Sequence, residues 1–350
     1  MHTGVIHAFL AALTFGASTP FAKILLGQVA PATLAGLLYM GSGVGLLLWF
    51  LLRGLRGRSG NEGSSRLRRK DMPWLAGAIL FGGVAGPLLL MLGLARTPAS
   101  AASLLLNMEG VLTSLLAWFV FRENFDRRIF IGMLLIVIGG VVLSWEQRPE
   151  FGVPWGAIAI VGACLCWGID NNLTRKISAS DAVQIAGLKG LVAGAVNLGI
   201  AFWLGMPAPA LGSALLAGAV GFCGYGLSLV FFVLALRNLG TARTGAYFSA
   251  APFVGAAISL ALLGDAPGNG FWLAGALMAA GIWLHLTEKH AHAHTHISMA
   301  HAHRHTHDAH HQHQHDFDWD GKEPHVHPHQ HAPLTHTHAH VPDIHHRHKH

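Results

Sequence analysis

Three side chains able to carry charge stand inside stretches otherwise suited to hydrocarbon: Glu109, Asp170 and Lys189. Glu109 lies in SLLLNMEGVLTSLLAWFVFRE (103–123), an apolar run of helix length. An ionised carboxylate near a bilayer centre costs roughly 2.5–3.5 kcal/mol on insertion scales, so such a group faces a bundle interior or a water-filled path. Asp170 opens the amide-rich triplet Asp170-Asn171-Asn172. Lys189 sits about two turns into its apolar run. A buried ammonium there calls for a carboxylate, supplied by Glu109 or Asp170, while snorkelling to the interface is the alternative. Asn107, Asn171, Tyr225 and His7 complete the candidate substrate pathway. Asn107 and Glu109 are two apart and cannot share a helix face, so Glu109 is expected to point at the cavity. A purely structural hydrogen-bond network between helices would use the same residue types.

A second chemistry gathers at the other end of the chain. Of the 26 histidines, all but His2, His7 and His285 fall between 290 and 350, mostly as His-x-His. His292, His294, His296, His301, His303, His305, His307, His325, His327, His329, His336, His338, His340, His345, His346 and His348 are the candidate ligands. Imidazole without thiolate suits nickel, cobalt, zinc or copper(II). The segment has few apolar residues and no helical period, so it is expected to be disordered until an ion binds. No other cofactor is required.

The elements that must position the membrane residues follow from composition. The chain is 52% hydrophobic and 11% charged, and its apolar residues fall in blocks of about 20, enough to cross roughly 30 Å of hydrocarbon as helices. The blocks run 5–26, 31–52, 73–95, 99–121, 128–145, 155–174, 182–204, 213–236, 242–263 and 270–286. Ten transmembrane helices are therefore expected, in an all-α integral membrane fold. The first block lacks a basic leader and a small-residue cleavage site, so it is expected to stay as a helix.

Charge sets the orientation. Fourteen Lys and Arg lie in the loops after the second, fourth, sixth and eighth blocks, against Lys23, Arg96 and Arg148 in the alternate loops. The positive-inside rule then puts both termini in the cytoplasm of a multi-pass protein in a bacterial-type inner membrane. The net charge of +6 is thus a topology signal and excludes a nucleic-acid partner. Cys164, Cys166 and Cys223 all lie in apolar blocks, which argues against a disulfide or a thiolate metal site. The constellations of an intramembrane hydrolase and the glycine-rich loop of a nucleotide binder are both missing, so no enzyme is expected.

The chain also repeats itself. FGASTPFAKI from Phe15 aligns with WGIDNNLTRK from Trp167 at a displacement of 152, and PATLAGLL from Pro31 with AVQIAGLK from Ala182 at 151. Glu109-Gly110 then matches Ala251-Pro252, Glu123 matches Asp265 and Gly132 matches Gly275. Five spans per half is odd, so the halves lie inverted, with a substrate site expected near the midplane where they meet. The expected division is a first five-helix repeat at 1–146, a second at 152–287 and a His-rich tail at 288–350.

GASTPFAKI opening the first repeat and NMEGVLTSLLAWFVFRENFDRRIFIGMLLIVIGGVVL closing it resemble the drug/metabolite transporter superfamily with EamA-type domains. The resemblance covers about residues 1–286. It implies a Glu-Pro pair in each fourth helix, an acidic residue after it and a glycine-spaced fifth helix. Glu109, Glu123, Pro252, Asp265, Gly132, Gly139, Gly275 and Gly281 stand at matching positions, whereas Gly110 replaces the proline of the first half and Ala251 the glutamate of the second. The resemblance implies a secondary transporter of a small molecule in the lipid bilayer, and a homodimer is compatible with it. The expected function is export of a small metabolite, with the metal-binding tail as regulator. A divalent-metal exporter using Glu109, Asp170 and His7, and a membrane-anchored metal sensor or store, are the alternatives.

Overall fold

Uninterrupted Leu, Ala, Val and Gly leave a backbone in lipid nothing to bond to but itself, and helix is the outcome nearly everywhere in the first part of the chain. The computed structural model describes residues 2–55, 67, 69–121, 127–146, 154–177, 180–239, 244, 247–286, 291–296, 299–305, 325–331 and 334–339. The chain divides into two units, Met1–Glu288 and Lys289–His350.

In the first unit the helices are α1 (His2–Leu26), α2 (Pro31–Leu55), α3 (Met72–Ala78), α4 (Gly86–Ala95), α5 (Ala99–Leu105), α6 (Met108–Phe121), α7 (Arg127–Glu146), α8 (Trp155–Arg175), α9 (Ala182–Trp203), α10 (Leu211–Gly221), α11 (Ser228–Leu239), α12 (Ala251–Leu263) and α13 (Asn269–Leu286). A π-helical segment, Ile79–Ala85, joins α3 to α4, and another, Phe222–Leu227, joins α10 to α11. Eight spans are long and apolar enough to cross a membrane among the described residues. At the ninth and tenth expected spans the described residues form shorter apolar helices, α12 and α13. The ninth is short because its described helix starts only at Ala251, after a turn at Ser249-Ala250, with Pro252 in its first turn.

The packing follows the repeat. α1 of the first half lies against α11 and α12 of the second, while α8 of the second lies against α4 and α6 of the first. α2 packs along α9, and α7 along α13, each pair joining equivalent helices. The α2–α9 contact is as close as backbones permit: a Cβ on Gly190 would stand 2.6 Å from the Gly43 nitrogen.

The breaks repeat too. α5 gives way to α6 at Leu106-Asn107, and the turn at Ser249-Ala250 falls at the equivalent place before α12. The two π segments begin at Ile79 and Phe222, a displacement of 143, within the third span of each half. Interrupted helices of this kind occur at membrane depth only where neighbours satisfy the freed carbonyls.

The second unit departs from the expected disorder. Strands β1 (Ala291–His296), β2 (Met299–His305), β3 (His325–His331) and β4 (Leu334–Ala339) pair as two antiparallel two-stranded sheets, β1 with β4 and β2 with β3. The physical reason lies in the His-x-His spacing itself, because period two is the period of a strand, and Thr295, Thr335 and Thr337 favour one.

Candidate functional site

The break between α5 and α6 positions the acid. Glu109 falls in the first turn of α6, where the helix dipole favours negative charge. At the break the Leu104 carbonyl accepts both the Asn107 backbone N–H at 3.0 Å and the Asn107 side chain at 2.9 Å, and the Cys164 thiol points at the Leu105 carbonyl at 3.7 Å. Asn107 is buried and also reaches the Met278 sulfur at 3.6 Å. It therefore serves the backbone of the broken helix and contacts α13, away from Glu109.

Glu109 is half-buried, and its Oε1 accepts from Asn171 Nδ2 of α8 at 2.8 Å. Asn171 also reaches the Thr113 hydroxyl at 3.3 Å, one helical turn along α6. Asn172 turns back into its own helix, donating to the Gly168 carbonyl at 2.8 Å, with a longer bond of 3.3 Å to the Thr113 carbonyl. One residue earlier on α8, Asp170 is buried and forms an ion pair with Lys189 of α9. Thr174 donates to the other Asp170 oxygen at 2.9 Å. The Asp170 carboxylate lies over the π segment at Gly82, where any side chain would collide with it. Two carboxylates, one amide and one ammonium thus converge from α6, α8 and α9.

The π segment supplies the next layer. Its Gly82 carbonyl accepts from the Tyr39 hydroxyl at 2.6 Å and from Trp167 Nε1 at 3.0 Å, and its Gly83 carbonyl accepts from Asn197 at 2.9 Å. Phe15 stands edge-on to Trp167 and to Tyr225, at centroid distances of 6.5 and 6.0 Å, and Tyr225 meets Tyr39 at 5.3 Å. Phe248 packs on Phe15 at 5.5 Å. This aromatic layer belongs to both halves. Phe15 and Trp167 are equivalent in the repeat, and that equivalence was the signal that could have found them; of the other members, Tyr225 alone was singled out by sequence reading.

His7 is not brought to this group. It stacks on Phe231 at 6.1 Å, and its Nδ1 is buried with no hydrogen-bond partner among the described residues. No three His, Cys, Asp or Glu among the described residues form a group able to hold a metal ion. A metal path through Glu109, Asp170 and His7 is therefore not assembled, which corrects that alternative. Of the candidate ligands in the tail, His307, His340, His345, His346 and His348 lie outside the described residues, and the other eleven lie on β1 to β4.

Comparison with known proteins decides the family. The EamA-like transporter family matches residues 2–145 and again 154–287. The chain belongs to the EamA-like transporter family. An uncharacterized transporter of Methanothermobacter thermautotrophicus is 30% identical over 299 residues, covering 80% of this chain and 85% of that protein. A probable 4-amino-4-deoxy-L-arabinose-phosphoundecaprenol flippase subunit, ArnE, of Pseudomonas fluorescens is 42% identical over 83 residues, covering 24% of this chain and 69% of its own. A solved crystal structure superposes with a TM-score of 0.59 at 21% identity, over 80% of this chain and 94% of that one, and shares the fold. As an EamA-like protein the chain is a multi-pass membrane transporter of small substrates and not an enzyme.

Proposed function

We propose that this EamA-like protein is a secondary exporter of a small metabolite, whose two inverted halves rock about a site formed by Glu109, Asn171 and the Asp170–Lys189 pair. The observation that carries the reading is the meeting of these charged groups beside a broken helix and a π segment, where the halves interlock. Glu109 and Asn171 present an acceptor and a donor to a polar group, while Phe15, Tyr39, Trp167 and Tyr225 offer apolar faces to the remainder of a substrate. In this reading both termini lie on the cytoplasmic side of the cell membrane, which the basic loops support, and the histidines of the tail bind nickel, cobalt, zinc or copper(II) as a regulatory module.

The test is efflux. Purified protein in liposomes loaded with a mixed metabolite extract should release one chemical class faster than protein-free liposomes, as read by mass spectrometry. Release of none, by protein shown to be folded, would reject transport as the function.

A further inference from the structure

The tail strands are registered so that histidine faces histidine. In the first sheet His292 pairs with His338 and His294 with His336; in the second His301 pairs with His329, His303 with His327 and His305 with His325. Since residues two apart on a strand share a face, the histidines of each sheet occupy one face together. The other face holds small or uncharged residues for the most part: Ala291, Ala293 and Thr295 opposite Ala339, Thr337 and Thr335, then Ala300 and Ala302 opposite Gln330 and Pro328, with Arg304 opposite Val326.

With histidine at every second position on both partners, aligning the like faces of the strands is what brings histidine opposite histidine. A one-residue slip would put the paired histidines of β1 opposite alanine or threonine and those of β2 opposite glutamine, proline or valine, and would break every pair. Directly opposed residues have Cβ atoms about 4.5–5.5 Å apart, a spacing from which two imidazoles can reach one ion.

We propose that each cross-strand histidine pair is a unit of transition-metal binding, so that the ions clasp β1 to β4 and β2 to β3 across five rungs. This deepens the reading of the tail as a metal binder and rests on it. The class of ion is a borderline divalent metal, nickel, cobalt, zinc or copper(II), because neutral imidazole is a poor match for magnesium or calcium. Metal then stabilises the paired strands over the separated ones by mass action, and the unit as a whole closes when the ion arrives.

Two variants of the full-length protein, each lacking four histidines, separate rung binding from histidine count. His301→Ala, His303→Ala, His327→Ala and His329→Ala together delete two whole rungs; His292→Ala, His294→Ala, His301→Ala and His303→Ala together break four. Nickel bound per chain at neutral pH is counted by equilibrium dialysis in detergent, with protein ending at Glu288 as the blank. Rung binding predicts that the second variant loses about twice as much nickel as the first. Equal losses would overturn the rungs and leave a tail that binds by histidine number alone. Wild-type protein holding no more nickel than the blank would overturn both.

Discussion

Lys189 carries its positive charge into a helix with no other charged residue, and Asp170 is the group that answers it. Breaking a buried pair by removing one partner is far costlier than removing both, roughly 3–5 kcal/mol against near neutrality, because the survivor is left charged and desolvated. Lys189→Met should therefore lower the melting temperature in detergent sharply, and adding Asp170→Asn should restore most of it; equal melting of the two would mean that the pair is not held in the folded protein. Glu109 and Asp170 were legible in the sequence because a carboxylate in an apolar run is conspicuous whatever the fold. The duty of Asn107 was not. Its amide adds a second bond to the Leu104 carbonyl at the break at Leu106-Asn107, and such a break is a property of the backbone that hydropathy does not encode. The choice between Glu109 and Asp170 as the partner of Lys189 likewise depends on how α8 and α9 turn toward each other.

Helix ends in this protein are capped by polar side chains from other helices, in one case from the opposite half. Asp265, just beyond α12, accepts from the backbone nitrogen of Ser100 at 3.0 Å and from its hydroxyl at 2.7 Å, capping the first turn of α5. Lys23 of α1 donates to the carbonyls of Leu94 and Thr97 at 2.6 and 2.9 Å, closing the end of α4 beside it. Caps of this type are worth about 0.5–2 kcal/mol, so Asp265→Ala should destabilise by about that amount while Asp265→Asn, which keeps an acceptor, loses less. A thermal-denaturation series in one detergent decides it, and indistinguishable melting of all three proteins would remove the cap. Sequence comparison already paired Asp265 with Glu123, which lies outside the described residues. The π segments left no such trace, since Gly82 and Gly83 read as ordinary helix-contact glycines until their carbonyls are seen accepting from Tyr39, Trp167 and Asn197. The strands of the tail, by contrast, were written in the His-x-His period and were missed because composition was weighed above spacing.

Across the whole molecule the duplication is the organising fact. The repeat seen in the sequence reappears as equivalent helices in contact, α2 with α9 at a displacement of about 151 and α7 with α13 at about 142, and as interruptions of the third and fourth spans matched at 143. Orientation remains a matter of charge: single cysteines replacing Lys70 and Ala208, in protein without its native cysteines, should react with an impermeant maleimide from the cytoplasmic and the outer side respectively, and the reverse pattern would invert the topology. Metal retention by the tail should fall steeply from neutral pH to pH 5, where about 3% of ordinary histidine with pKa ~6.5 is neutral, because protons and metal compete for the same nitrogens. Dialysis at a series of pH values checks this, and nickel held equally at pH 5 and pH 7 would exclude imidazole as the ligand.

If Glu109 serves the proposed transport site as an exchangeable acid, the most direct test is proton-driven flux of the metabolite class identified by efflux, measured in proteoliposomes for wild-type protein and Glu109→Gln. Glutamine keeps the length and the oxygen acceptor toward Asn171 but cannot exchange a proton. The account predicts that a pH gradient accelerates flux through the wild type and has no effect on folded Glu109→Gln protein of the same melting behaviour. Equal acceleration of both would contradict it and leave Glu109 a structural residue.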